Sequence, residues 1–262
     1  MNDMELKRLE EACSAIGVTV SPYYRPPEGC FNEAMLREAQ SAGYKTVFWS
    51  FAYADWDNGR QPDPVAAKSK ILVSMGHTDA KFEEAMSAAR DGVNHATHLF
   101  NAMSALAHRN PGVVGAALAS ENVSVEVIAD TFHINPGLYS IIAKVKGDKM
   151  VLITDCTRAG GLEDGEYTLG GQPIYVKGIE CRLSDGTIAG SVLKMNDAVR
   201  NFRDHAQVPF HEAVNCASLY AARSIGADGC KGSLEAGKDA DIVLLDGDCG
   251  VHGVLVGGVR KA

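Results

Sequence analysis

From residue 73 onward the pattern of apolar and polar positions is strand, then helix, four times over. Short apolar runs at 73–76, 94–97, 123–128 and 150–154 read as strands. Lys81 to Asp91, between the first two, reads as one amphipathic helix. Asn135-Pro136 supplies a cap followed by proline at the first helical position, and that helix ends at Gly147. Such alternation predicts a parallel sheet or barrel. Residues 165–190 change style. Three short alternating runs, around Glu166, Ile174 and Cys181, are separated by Gly-Gly, Lys-Gly and Asp-Gly pairs, which predicts a β-meander. Helices return at 196–206 and 209–225. The tail, Gly232 to Asp246 and then Val251 to Arg260, reads as two or three short strands.

Before residue 73 the pattern is less regular. Glu5 to Gly17 reads as a helix ended by glycine, and Tyr23 to Gly29 as an extended loop stiffened by Pro26 and Pro27. Asn32 caps a helix from Glu33 to Ala42 that Gly43 stops. Lys45 to Phe51 reads as a buried strand, and Pro62 to Leu72 as a further helix.

Composition narrows the class. The 262 residues are 46% hydrophobic, enough for a sizeable core in one large domain or one large plus one small. A net charge of -8 with no basic stripe argues against nucleic-acid binding, although local Arg or His can still hold an anionic substrate. No apolar run approaches membrane-spanning length. The start, Met1 to Arg8, reads as an amphipathic helix and not as a signal peptide. Seven cysteines at 13, 30, 156, 181, 216, 230 and 249, with no Cys-x-x-Cys, predict reduced thiols in a cytoplasmic protein.

His77 and His98 are the leading candidates for chemistry. Each follows the end of a predicted strand, and the two strands flank one helix. Two imidazoles at the C-terminal ends of neighbouring strands in a β-α-β unit suit a catalytic metal. Asp155 ends the strand at 150–154 and could face the same mouth as a general base. Alone, each has a plainer explanation: a strand-end histidine is more often just hydrogen-bonded, and an aspartate there often caps the next helix. Three at three strand ends favour a site.

The strings around these residues closely resemble the C-terminal half of the N-acetylglucosamine-6-phosphate deacetylases of the amidohydrolase superfamily. The matching pieces are Gly76 to Ala80, His95 to Met103, Arg109 to Gly115, Ile128 to His133, Thr154-Asp155, Leu169 to Gly171, Ile188 to Ser191 and the tail Gly232 to Val243. The resemblance implies His77 and His98 as ligands of a divalent metal, zinc first, with iron or another divalent ion as alternatives. It implies Asp155 as catalytic acid/base. Asn101 and Ala102 would contact the sugar and Arg109 the phosphate. Asp130, Thr131, Phe132 and His133 would line the sugar pocket, and Ile188, Ala189 and Gly190 would close it. His95 and His108 match no ligand of the family and read as surface histidines. Thr131-Phe132 departs from the family's glycine-containing dipeptide. Cys156, with no histidine adjacent in sequence, reads as no nucleophile.

The first barrel half of that family, with its metal-binding Glu-Gly-Pro-Phe, has no counterpart here. Residues 1–72 instead resemble the C-terminal part of a NodB-type polysaccharide deacetylase, through Tyr24 to Gly29, Asn32 to Gly43, Tyr44 to Ser50 and Ala54 to Trp56. In that family Arg25 would orient a catalytic carboxylate, while Asp55-Trp56 reads as packing. Glu28-Gly29-Cys30-Phe31 resembles the missing metal motif, which makes Glu28 a candidate replacement ligand. It equally belongs to the polysaccharide-deacetylase loop. The expected organisation is a polysaccharide-deacetylase-like segment at 1–72, an amidohydrolase half-barrel at 73–225 and a small β-domain remnant at 226–262. The expected fold is α/β, a partial or rearranged (β/α) barrel with a remnant β-sandwich. An open edge at strand 73–76 suggests a homo-oligomer. The expected function is deacetylation of N-acetylglucosamine 6-phosphate. The competing readings are an inactive fusion product that keeps a phosphosugar half-site, and a polysaccharide N-deacetylase.

Overall fold

The structure is a computed structural model that describes residues 3–15, 17, 19–20, 23–24, 32–46 and 72–261. The chain divides into two units, 1–71 and 72–262. The expected loop from Arg25 to Gly29, the strand beyond Thr46, the helix starting at Pro62, and Arg25, Glu28, Asp55 and Trp56 all lie outside the described residues.

In the first unit, helix α1 spans Asp3–Ala15, and Gly17 follows in the left-handed region at φ 74°. Strand β1 (Tyr23–Tyr24) pairs in parallel with β2 (Lys45–Thr46). Helix α2 (Glu33–Ser41) starts at Asn32, whose side-chain oxygen accepts from the Met35 N–H at 2.9 Å. Gly43 leaves it at φ 86°. Ala39 and Tyr44 are buried beside Val20 and Ala42, and the Tyr44 hydroxyl donates to Glu10 at 2.6 Å. Lys45 is exposed and Thr46 half-buried, so the described start of the expected buried strand is not buried.

The second unit is α/β around a four-stranded parallel sheet. Its strands are β3 (Ser74–Met75), β4 (His95–Ala96), β5 (Ser124–Ile128) and β6 (Met150–Ile153), in that order across the sheet. Helices α3 (Phe82–Arg90), α4 (Gly112–Ala119) and α5 (Tyr139–Lys146) connect them. Register explains the core. Met75, Ala96, Val125 and Met150 stand side by side across the four strands, with Val127 beside Leu152. Alternation turns this set to one face. There it packs on Val114 and Ala117 of α4 and Tyr139 and Ile142 of α5. Helix α6 (Met195–Ala206) adds Ala198, Val199 and Phe202 to the same cluster, and α7 (Phe210–Ala217) adds Ala213 and Cys216. Lys146 is buried and donates to the carbonyls of Ala117 and Ser120, at 2.9 and 2.7 Å, so it satisfies backbone acceptors at the end of α4. Burial pulls its pKa down to about 8.

The expected helix over 209–225 is broken. Ser218 (φ -134°, ψ -82°) separates α7 from α8 (Leu219–Ser224). Its hydroxyl donates to the Val214 carbonyl at 2.7 Å, the local competition that makes serine a poor interior helix residue. The meander forms as an antiparallel sheet of β7 (Gly165–Leu169), β8 (Gln172–Lys177) and β9 (Glu180–Leu183). Gly170 and Gly171, at φ 57° and 81°, supply its first turn, where two consecutive positive φ values are required. The tail forms a second antiparallel sheet of β10 (Ile242–Leu245), β11 (Val251–Val256) and β12 (Val259–Arg260). Among the described residues no helix is long and apolar enough to cross a membrane.

One reading from the sequence is overturned here. His95 is not a surface histidine: it is 2% exposed. It shares a row with Ser74 and Ser124 on the sheet face opposite the apolar set. Its Nδ1 meets the Asn94 side-chain oxygen at 3.0 Å, and its Nε2 is buried without a partner. The strand pattern could not show this, because a polar residue in a short apolar run reads as facing water. Burial pushes the His95 pKa below the ordinary histidine value, against the pull of the Glu126 carboxylate and with the help of Lys149. The folded chain therefore holds this proton less tightly than the unfolded chain. The His95 contribution to stability should be full above about pH 6.5 and fall as the pH drops below it. Urea midpoints measured from neutral to mildly acid pH should fall for the wild type and fall less for His95→Gln. Equal slopes would contradict the assignment.

Candidate active site

Each strand of the four-stranded sheet is followed by a residue with unusual backbone. His77 follows β3 at φ 45°, His98 follows β4 at 31°, Thr131 follows β5 at 66° and Asp155 follows β6 at 49°. Phe100 and Ala102, in the turn after His98, are also left-handed at 77° and 50°. Non-glycine residues rarely adopt this region, and for a β-branched threonine it is an outlier. Such strain persists only where neighbours enforce it, and it concentrates at functional sites.

The neighbours are visible. Past the end of β3, Thr78 donates to the Ala102 carbonyl at 3.1 Å and bridges to Met103. Leu99 donates to the Glu126 carbonyl at 2.7 Å. The Asn101 amide nitrogen donates to the carbonyls of His98 and Leu99, both at 3.2 Å, so this side chain closes the turn that carries His98. The Thr131 N–H donates to the Tyr139 hydroxyl at 3.0 Å. The Asp155 carbonyl accepts from Ser191 at 2.9 Å, and the Ser191 carbonyl accepts from Thr157, also at 2.9 Å.

His77 and His98 meet. Their Nε2 atoms are 2.8 Å apart, with the rings edge to face at 77°. His77 is exposed, whereas His98 is 8% exposed and its Nδ1 is buried without a partner. Gly76 permits this approach: a Cβ there would lie 2.2 Å from Thr97 Cγ2. Two nitrogens bound at about 2.1 Å to one tetrahedral ion stand about 3.4 Å apart, so a divalent ion would need the rings to part by only about 0.6 Å. The imidazole pair thus fits as two ligands of such an ion. Among the described residues no group of three or more His, Cys, Asp or Glu side chains is arranged to hold a metal. Asp155 is exposed at the end of β6, two strands from β4.

A second polar centre follows β5. Asp130 and His133 are buried, their side chains 3% and 5% exposed, with His133 Nδ1 2.6 Å from Asp130 Oδ2. Asp130 Oδ1 also accepts the N–H groups of Phe132 and His133, at 2.9 and 2.8 Å. Burial drives the Asp130 carboxyl up, but the His133 ring and the two N–H donors outweigh it and hold it below the usual carboxylate range. Arg109 is exposed, with a guanidinium nitrogen 2.8 Å from His108 Nε2. Ile188 is exposed and Ala189 buried. Gly190 stands at φ 60°, and a Cβ there would fall 2.8 Å from Thr157 Cγ2 and 3.1 Å from the Asp155 carbonyl. Burial and then the Asp155 charge push the Cys156 thiol up, away from nucleophilic thiolate. Sequence reasoning missed Tyr139, which the helical pattern presents as a core residue, and Arg182, whose guanidinium lies 4.8 Å from the Phe132 ring centroid.

A β/α unit with paired histidines at adjacent strand ends is an architecture of metal-assisted hydrolases. The chain belongs to the amidohydrolase family, whose profile matches residues 65–261. It is 46% identical to an N-acetylglucosamine-6-phosphate deacetylase of Bacillus subtilis over 182 residues, 69% of this chain and 46% of that protein. It is 40% identical to a putative N-acetylgalactosamine-6-phosphate deacetylase of Escherichia coli K12 over 161 residues, 62% of this chain and 96% of that protein. The crystal structure of N-acetylglucosamine-6-phosphate deacetylase from Pasteurella multocida superposes with a TM-score of 0.73 at 36% identity, over 76% of this chain and 52% of that one. The chain spans about half the length of the Bacillus and Pasteurella proteins.

Two substitutions test this geometry. Asp130→Ala should leave buried His133 and two N–H groups without their acceptor and cost about 3–5 kcal/mol in urea unfolding. Gly76→Ala should cost about 1–3 kcal/mol by overpacking. It should also weaken divalent-metal binding, read by calorimetry, because the clash with Thr97 displaces the residue next to His98.

Proposed function

We propose that the chain carries the metal-ligand and phosphosugar side of a site that hydrolyses the acetamide of N-acetylglucosamine 6-phosphate, giving glucosamine 6-phosphate and acetate. The observation that carries this is the His77–His98 pair, Nε2 to Nε2 at 2.8 Å, on adjacent parallel strand ends. Its support is the family membership and the named activity of the Bacillus relative. Deacetylases of this family generally depend on a divalent metal. His77 and His98 would hold that ion, zinc first, with iron or another divalent ion also suited to imidazole. When bound, it would polarise the acetyl carbonyl and acidify water.

The chain's own residues supply the rest. Asp155, exposed past the end of β6 in the same sheet, takes a proton from the attacking water and returns it to the leaving amine. Arg109 faces solvent with a planar donor fork suited to phosphate. The Asn101 amide nitrogen is committed to the turn, which leaves its oxygen for a sugar hydroxyl. The buried Asp130–His133 pair fixes the His133 ring at the wall of the pocket, with Ala102, Thr131 and Phe132 beside it. Ile188, Ala189 and Gly190 close the pocket from the segment that leads to Ser191 beside Asp155.

In this reading residues 73–225 are part of a (β/α) barrel, 226–262 part of a small β-domain, and 1–72 a segment of polysaccharide-deacetylase type. A homo-oligomer covers the sheet edge at β3. One observation favours a second reading: only two ligands converge among the described residues, as in a phosphosugar-binding protein without turnover.

The purified chain should contain divalent metal and release acetate from N-acetylglucosamine 6-phosphate, with N-acetylgalactosamine 6-phosphate run in parallel. His98→Ala should lose both metal and activity. Asp155→Asn should keep the metal and lose about 10²–10⁴-fold in kcat/KM. No metal and no release above His98→Ala would overturn the enzyme reading. Binding of the sugar phosphate without release would select the second.

A further inference from the structure

We propose that Arg182, on the antiparallel meander, is a positioning residue that holds the 130–133 loop in its strained conformation and so fixes one wall of the sugar pocket. The inference rests on the phosphosugar reading for what the pocket binds, but not for the contact itself.

The loop is held from one side by its own strand and the following helix. Asp130 gathers the N–H groups of Phe132 and His133 and the His133 ring, and Tyr139 takes the Thr131 N–H. These bonds anchor the backbone and the His133 ring from that side. They do not fix the Phe132 side chain, which stands edge-on to His133 with ring centroids 5.7 Å apart. Arg182 of β9 holds that ring from the other side, its guanidinium carbon 4.8 Å from the centroid. The guanidinium is oriented independently of the ring. Its Nε donates to the Glu180 carboxylate at 2.7 Å and its Nη1 to the Gly186 carbonyl at 2.7 Å. Two bonds at two edges set the plane of a rigid fork, so the contact costs little further ordering.

The hairpin that carries Arg182 is tied elsewhere to the site. Arg182 bridges to Ile188, and the Ala189 N–H donates to the Cys181 carbonyl at 3.0 Å. Two residues on, Ser191 pairs with the backbone around Asp155 and Thr157. The meander therefore reaches the end of β6 through Ser191 and the end of β5 through Arg182. Between these two anchors lie Ile188, Ala189 and Gly190. Arg182 thus sets the distance between the loop of His133 and the strand end of Asp155.

Magnitude separates this from a general stabilising role. A cation–π contact at a partly exposed arginine is a modest effect, about fivefold in an equilibrium constant. That is small against global folding and large for the conformation of one loop or the affinity for one ligand. Backbone bonds alone leave Thr131 at φ 66° with no lock on the side chain next to it.

The test uses the full chain and the variants Arg182→Met, which keeps apolar cover without charge, and Arg182→Lys, which keeps charge without the fork. Amide hydrogen exchange is measured at Phe132 and His133, with the β8–β9 ladder as internal control, and glucosamine 6-phosphate binding by calorimetry. Arg182→Met should exchange about tenfold faster at the two loop amides with the ladder unchanged, and bind about fivefold more weakly. Arg182→Lys should fall between it and the wild type. Unchanged loop exchange in Arg182→Met overturns the proposal. Faster loop exchange with unchanged affinity also overturns it, because the contact would then be structural only. Faster loop exchange in a protein whose wild type binds no sugar phosphate supports the hold on the loop and overturns the phosphosugar reading instead.

Discussion

Four parallel strands end side by side, and at each end the chain must leave the sheet at once so that the next side chain faces the mouth. The price appears in the backbone: His77, His98, Thr131 and Asp155 are all left-handed. Each such residue costs on the order of 1–3 kcal/mol. No local bond repays four of them. The apolar row of Met75, Ala96, Val125 and Met150 against α4 and α5 fixes the strands in register, and register decides where each strand stops. The site is a consequence of that row. Shifted by one residue, the strands would turn their polar row of Ser74, His95 and Ser124 to the helices instead.

The polar contacts divide by burial. Arg109 with His108 lies in water, where such contacts contribute little and leave the guanidinium available. Asp130 with His133 is enclosed and tied by three hydrogen bonds to Asp130, so it gives a fixed geometry and not a movable charge. The His77–His98 pair lies between these limits. One ring is exposed and the other enclosed, which joins a rigid support to an open face. Among the described residues the pair is open to solvent on the His77 side.

Most of the parallel sheet was legible because its signal is local. Short apolar runs, a capping Asn135 before Pro136, and paired glycines between alternating residues each specify geometry within a few positions. The pairing of His77 with His98 was legible for the same reason, since adjacent strands joined by one helix place their ends together. What failed depended on distant neighbours. His95 sits in an apolar run, and only its register against Ser74 and Ser124 shows which face it occupies. The break at Ser218 depends on one hydroxyl choosing the Val214 carbonyl. Thr131 takes a conformation that glycine would adopt freely; its N–H goes to the Tyr139 hydroxyl eight positions away, and Asp130 takes the next two N–H groups. The expected resemblance of residues 1–72 to polysaccharide deacetylases rests largely on residues outside those described and is an expectation from the sequence.

Gly190 and Ile188 lie two residues apart on the segment beside Asp155, yet they differ in what they allow. Position 190 has no room: its backbone is left-handed, and a first carbon would strike Thr157 and the Asp155 carbonyl. Position 188 is open to solvent. A side chain of another size or shape can therefore stand at residue 188 without disturbing the backbone. Residue 190 must stay glycine to keep the path of the chain past Asp155.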